Sequence, residues 1–209
     1  EFLGDPELRP EQASQLDVAL GRTSPRASLE VSLYYRRVED SITVQPDPSL
    51  PRRLPLSPPT VYRYINGKAD FFGGEAQLSH RPLSWLSWRA SLAWIRGEDR
   101  TFDEPAFGMS PLTGRLGGRF LAGSRGWIEL SALGVAKQDR VATARFERPT
   151  PGYEVFDLGA GYSLGKRWRL KAAVENVGDE SYAVHLNSLN PFTGERVPEP
   201  GRSVYAGVE

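Results

Sequence analysis

Two histidines, one methionine and no cysteine are all the imidazole and sulfur ligands that the 209-residue chain offers. Without cysteine there is neither a disulfide framework nor a thiolate metal site. A nucleophilic triad would have to use His80 or His185, and no nucleophile elbow accompanies either. His80 falls at the start of a short turn expected over 80–84, where an exposed structural residue is the plain reading. His185 lies in a long polar segment with Asn187, Asn190, Phe192 and Arg196. Polar side chains with one aromatic on a loop between rigid strands can form a ligand surface. The opposing reading is that the segment only orders itself, since a metal site needs several converging ligands. Met109 lies in another loop, and a His/Met copper site has no further support. Glu98, Asp99, Asp103 and Glu104 could contact a cationic ligand or simply be a solvated acidic loop. Gly73-Gly74 and Gly117-Gly118 are not phosphate cradles, because no helix follows them. They suit curvature or close packing within strands.

Composition narrows the classes of function. With 26 basic and 26 acidic residues there is no net field to recruit nucleic acid. No apolar run approaches the ~20 residues of a membrane helix. That leaves barrel spanning open, because alternating strands never score as hydrophobic overall. The chain opens on Glu1 with no signal peptide, which leads us to expect a fragment or a processed piece.

The elements that would position these residues are strands. Period-2 alternation predicts nine of them, over about 12–21, 27–38, 61–79, 85–96, 112–121, 127–137, 153–164, 168–175 and 203–208. Leu86, Trp88, Ala90, Leu92 and Trp94, for example, alternate with Ser87, Arg89, Ser91 and Ala93. The first ten residues, with Pro6 and Pro10, are expected to be irregular. Connections alternate in length: short at 22–26, 80–84, 122–126 and 165–166, long at 40–59, 97–111, 138–152 and 177–202. Six prolines fall between Pro46 and Pro59. Short turns on one side and long loops on the other are the habit of outer-membrane barrels. Charges in mid-strand (Arg89, Arg115, Arg119, Glu129, Asp157, Glu175) suit a hydrated lumen. Tyr35, Trp85, Trp94, Trp127, Tyr153 and Trp168, near strand ends, suit interfacial girdles. The alternative is a soluble β-sandwich or small barrel that binds a ligand or partner.

Two motifs at opposite ends of the chain carry a resemblance. Gly4-Asp5-Pro6-Glu7-Leu8-Arg9-Pro10-Glu11 resembles a segment that leads into a barrel strand in TonB-dependent outer-membrane receptors. Glu175-Asn176-Val177-Gly178-Asp179-Glu180-Ser181-Tyr182, with Pro200-Gly201-Arg202-Ser203, resembles the passage introducing that family's last strand. The resemblance implies an all-β, up-and-down antiparallel meander of about nine strands. Residues 1–209 would be the C-terminal slice of a transmembrane barrel of about 22 strands. The plug domain and the N-terminal strands would lie outside the sequence, as would the family's terminal aromatic after Val208-Glu209. What it implies of function is active uptake of a scarce ligand across the bacterial outer membrane. That ligand would be a ferric siderophore, cobalamin or another metal complex. Implied partners are membrane lipid, the chain's own plug, the small ligand and the TonB energy complex through the absent N-terminal region. No enzyme activity, cofactor or nucleic acid is implied.

Overall fold

A computed structural model describes every residue except 53, 56–59 and 191; the end of the Pro-rich stretch therefore lies outside the described residues. Eleven strands form one sheet: β1 (Phe2–Leu3), β2 (Gln12–Thr23), β3 (Ala27–Pro46), β4 (Tyr62–Leu83), β5 (Leu86–Asp99), β6 (Glu104–Pro105), β7 (Thr113–Ala122), β8 (Gly126–Val135), β9 (Tyr153–Leu164), β10 (Trp168–Glu175) and β11 (Ser203–Val208). The nine long strands are those expected. They pair antiparallel in chain order from β2 to β11, with β1 and β6 as short side pairings. β2 and β11 do not pair with each other, so the meander is open. A single 3-10 turn at Thr143–Arg145 is the only helical element among the described residues. One sheet in chain order excludes the sandwich, which needs two packed layers.

Several boundaries differ from the sequence expectation. Phe2–Leu3 is regular after all: it pairs parallel with Tyr62–Arg63, and Phe2 stacks on Tyr62 at 5.3 Å. Both prolines of the opening fall beyond that pairing. β3 continues past residue 38 because a bulge at Asp40, with φ 56°, absorbs the irregularity and pairing resumes at Ser41. Pro46, which has no N–H to donate, ends that strand. β4 runs through His80, which is a strand residue packed edge-on against Trp88 at 5.6 Å rather than a turn residue.

Register sorts the side chains into two unlike faces. On one, Gly118, Leu130, Leu158, Val174 and Val204 lie in one cross-strand row, and Leu116, Ala132 and Phe156 lie in another. On the other, Arg119 faces Glu129 across the β7–β8 pair, and the Ser131 hydroxyl donates to Asp157 at 3.0 Å. Large apolar side chains stay exposed in mid-strand, as with Leu20 at 73% and Leu116 at 54%. The buried apolar residues Val38, Val61, Ala69, Ala106, Val141, Ala142 and Val155 gather at the end of the sheet that carries the long loops.

Trp127 corrects one expectation about the girdles. It alternates with Ile128 and so belongs to the polar face, where the Arg119 guanidinium sits 4.2 Å over its ring. Its indole lies across Gly161, where any Cβ would overlap it. Gly73 likewise makes room for the Tyr34 ring, whereas Gly117 and Gly118 meet only ordinary contacts.

Candidate functional site

The long loops form a packed cap, and the segment after β10 holds it together. Asn176 ends β10 in a left-handed conformation (φ 51°), which asparagine tolerates better than most residues. Its side chain donates to the Glu180 carbonyl at 2.9 Å and accepts from the Glu180 N–H at 2.8 Å. Asp179, also left-handed (φ 54°), accepts from the Arg202 N–H at 2.8 Å and so brings Pro200-Gly201-Arg202 across the loop. Tyr182 stacks on Tyr153 at 4.3 Å. Burial pushes the Tyr182 hydroxyl above its ordinary pKa, and the charge of Glu199 adds to that. These residues of the motif order the loop and aim the chain into β11.

His185 is 2% exposed and sits between two partners. Its Nδ1 is 2.9 Å from the Thr150 hydroxyl and its Nε2 is 3.0 Å from Glu147 Oε1. An ionised carboxylate only accepts, so Nε2 carries the proton donated to Glu147, while the Thr150 hydroxyl can either donate to Nδ1 or accept from it. Glu147 also accepts from the Gly108 N–H at 2.9 Å and the Ala142 N–H at 2.7 Å. One buried carboxylate thus gathers the β6–β7, β8–β9 and β10–β11 loops. Nothing in the sequence around Glu147 or Thr150 marks them; their role exists only once the loops are brought together.

The other candidate residues are also engaged. Asn187 donates to the Val197 carbonyl at 2.9 Å and to Glu199 at 2.7 Å. Asn190 accepts from the N–H groups of Phe192 and Thr193 at 2.9 and 3.3 Å, forming an Asx turn. Arg196 donates to the Asn187 and Arg148 carbonyls at 3.0 and 3.4 Å. Phe192 differs from them all: it is 96% exposed. The structure therefore brings the five together on one loop, with four turned to holding it and one presented outward.

The acidic group is not a free anionic surface. Glu98 pairs with Arg96 and Arg140, and Asp99, buried, pairs with Arg145 at 3.3 Å. Glu104 accepts from Thr143 and Ala144. Among the described residues no three His, Asp or Glu side chains converge to hold a metal ion. The Met109 carbonyl accepts from Gln138 at 2.7 Å. On the polar face a cavity of about 610 Å³ opens over Glu30, Gln77, Arg89, Arg115, Glu129 and Asp157.

Comparison with known proteins defines the class. The family model for the TonB-dependent receptor-like β-barrel matches residues 1–177, and the chain belongs to that family. Among solved structures it is similar to the copper transporter OprC at 26% identity, with a TM-score of 0.84 over 97% of this chain and 32% of that one. The FrpB iron transporter from Neisseria meningitidis shares the fold at 17% identity and a TM-score of 0.74, over 99% of this chain and 32% of that one. So does the ferric yersiniabactin uptake receptor FyuA from Yersinia pestis, at 15% identity and 0.73, over 95% and 29%. The chain spans about a third of the length of these structures. Receptors of this family lie in the outer membrane, and the three structures are named for transport of copper, transport of iron and uptake of ferric yersiniabactin.

Proposed function

We propose that residues 1–209 are the C-terminal part of the barrel of an outer-membrane receptor that actively imports a scarce metal complex. That cargo would be a ferric siderophore, cobalamin or another metal chelate, taken up with energy supplied through TonB. The observation that carries the reading is the pair of unlike faces maintained over nine strands. An apolar face this extensive is costly in water and is satisfied by lipid hydrocarbon. The opposite face, with Arg89, Arg115, Arg119, Glu129 and Asp157 in mid-strand, suits a hydrated lumen occupied by a polar plug. The long loops would then face outside and the short turns the periplasm. Similarity to copper and iron transporters supports a metal complex as the cargo.

Within the loop cap, Phe192 is the residue we assign to direct ligand contact. His185, Asn187, Asn190 and Arg196 would shape the surface around it, with His185 reaching the ligand only if the Glu147 contact opens. The reading is tested in the full-length receptor. Uptake of radiolabelled metal chelates by whole cells should depend on the receptor and cease when TonB is deleted, with receptor abundance unchanged. Uptake that persists without TonB would refute active transport.

A further inference from the structure

Towards the loop end, the apolar face changes character in two steps. First comes an aromatic row: Tyr35 lies opposite Phe72, which packs edge-on against Trp94 at 5.3 Å. One row further, Arg37, Asp70 and Glu98 stand side by side across β3, β4 and β5. Around them four guanidiniums converge on two carboxylates. Asp70 accepts from Arg37 Nε at 3.2 Å, from Arg100 Nε at 2.9 Å and from the Tyr35 hydroxyl at 3.0 Å. Glu98 accepts from Arg96 Nε at 2.9 Å and from Arg140 Nη2 at 2.6 Å.

The local charge does not balance. Four arginines against Asp70 and Glu98 leave two positive charges, in a chain whose totals are equal. Glu39 pairs with Lys68 at 2.9 Å and also lies 3.8 Å from Arg37, so counting both Lys68 and Glu39 leaves the same excess, and the neighbouring Arg9–Asp40 pair is one to one. The arginine side chains stay 42–57% exposed while Asp70 is only 10% exposed. Among the described residues the η nitrogens of Arg37, Arg96 and Arg100 have no hydrogen-bond partner. The two carboxylates thus hold the guanidiniums in place by one nitrogen each and leave the paired donors that suit a phosphate.

We propose that this arginine collar binds the phosphate groups of anionic lipids in the outer leaflet, clamping the barrel to the lipids that surround it. The proposal rests on the membrane orientation given above. In that orientation an aromatic belt marks the interface, and the collar stands just beyond it, at headgroup level. Guanidiniums there meet lipid phosphates at short range, where each basic residue strengthens attraction by about fivefold.

The test uses purified full-length receptor in detergent and native mass spectrometry. The probes are bisphosphorylated lipid A, the same lipid enzymatically dephosphorylated, and inorganic phosphate. Wild type should retain the phosphorylated lipid in clear preference. Arg96→Gln with Arg140→Gln and Glu98→Gln, which leaves no orphaned carboxylate, should cut that preference about fivefold or more. Arg96→Lys with Arg140→Lys should keep most of it. A folding defect would lower retention of both lipids together and leave their ratio alone, so the ratio reports the site. Equal retention of the two lipids by wild type, or an unchanged ratio in the triple variant, would overturn the proposal. So would saturation by inorganic phosphate at concentrations that displace the lipid, since that describes a free-anion site. If the membrane reading itself were wrong, the receptor would stay in the aqueous phase without detergent and retain neither lipid.

Discussion

At the scale of single residues, the loop cap depends on a buried carboxylate that ties its own loop to two others. Glu147→Ala would leave the Gly108 and Ala142 N–H groups and His185 without their acceptor. Each buried group left unpaired costs about 1–3 kcal/mol. We expect the β10–β11 loop of the full-length receptor to become sensitive to added protease, while heat-resistant mobility of the barrel on gels stays unchanged. Phe192→Ala should do the reverse, weakening ligand binding by whole cells with no gain in protease sensitivity. Loss of binding in neither variant would remove this loop from the ligand site. The sequence signalled His185 as chemistry-bearing but not its burial. A histidine in a polar loop looks the same whether it faces solvent or a glutamate 38 positions away.

At the scale of strands, the two faces make opposite demands. Arginine at Leu92 or Leu158 should cost about 2–4 kcal/mol near the bilayer midplane and reduce assembled receptor. Arginine at Ser91, beside Arg115 on the polar face, should be milder. Comparable loss of folded receptor at Leu92 and Ser91 would mean the faces are not lipid and lumen. Strand existence and facing were legible from alternation alone, as with Trp168–Glu175 and Tyr153–Leu164, because period 2 fixes which side each residue takes. Strand ends were less so. β3 outran its expected limit because a bulge at Asp40 hides the continuation, and Trp127 was misplaced by residue type although its alternation with Ile128 assigns the face correctly.

For the whole molecule, the sorting of connections is the central claim: long loops gather on one side of the sheet and short turns on the other. These 209 residues contain no cysteine, so single cysteines placed in them can report sidedness once any cysteine elsewhere in the full-length receptor is replaced by serine. Exposed positions on the loops are Ser49, Asp103, Asp139 and Thr193, and on the turns Ser24, Ser84, Ser124 and Lys166. Each is replaced singly by cysteine in the full-length receptor, and intact cells are treated with a membrane-impermeant maleimide. The first four should label on intact cells, and the second four only after the outer membrane is permeabilised. Labelling of the turn positions on intact cells, or equal labelling of both sets, would contradict the orientation and the receptor function built on it.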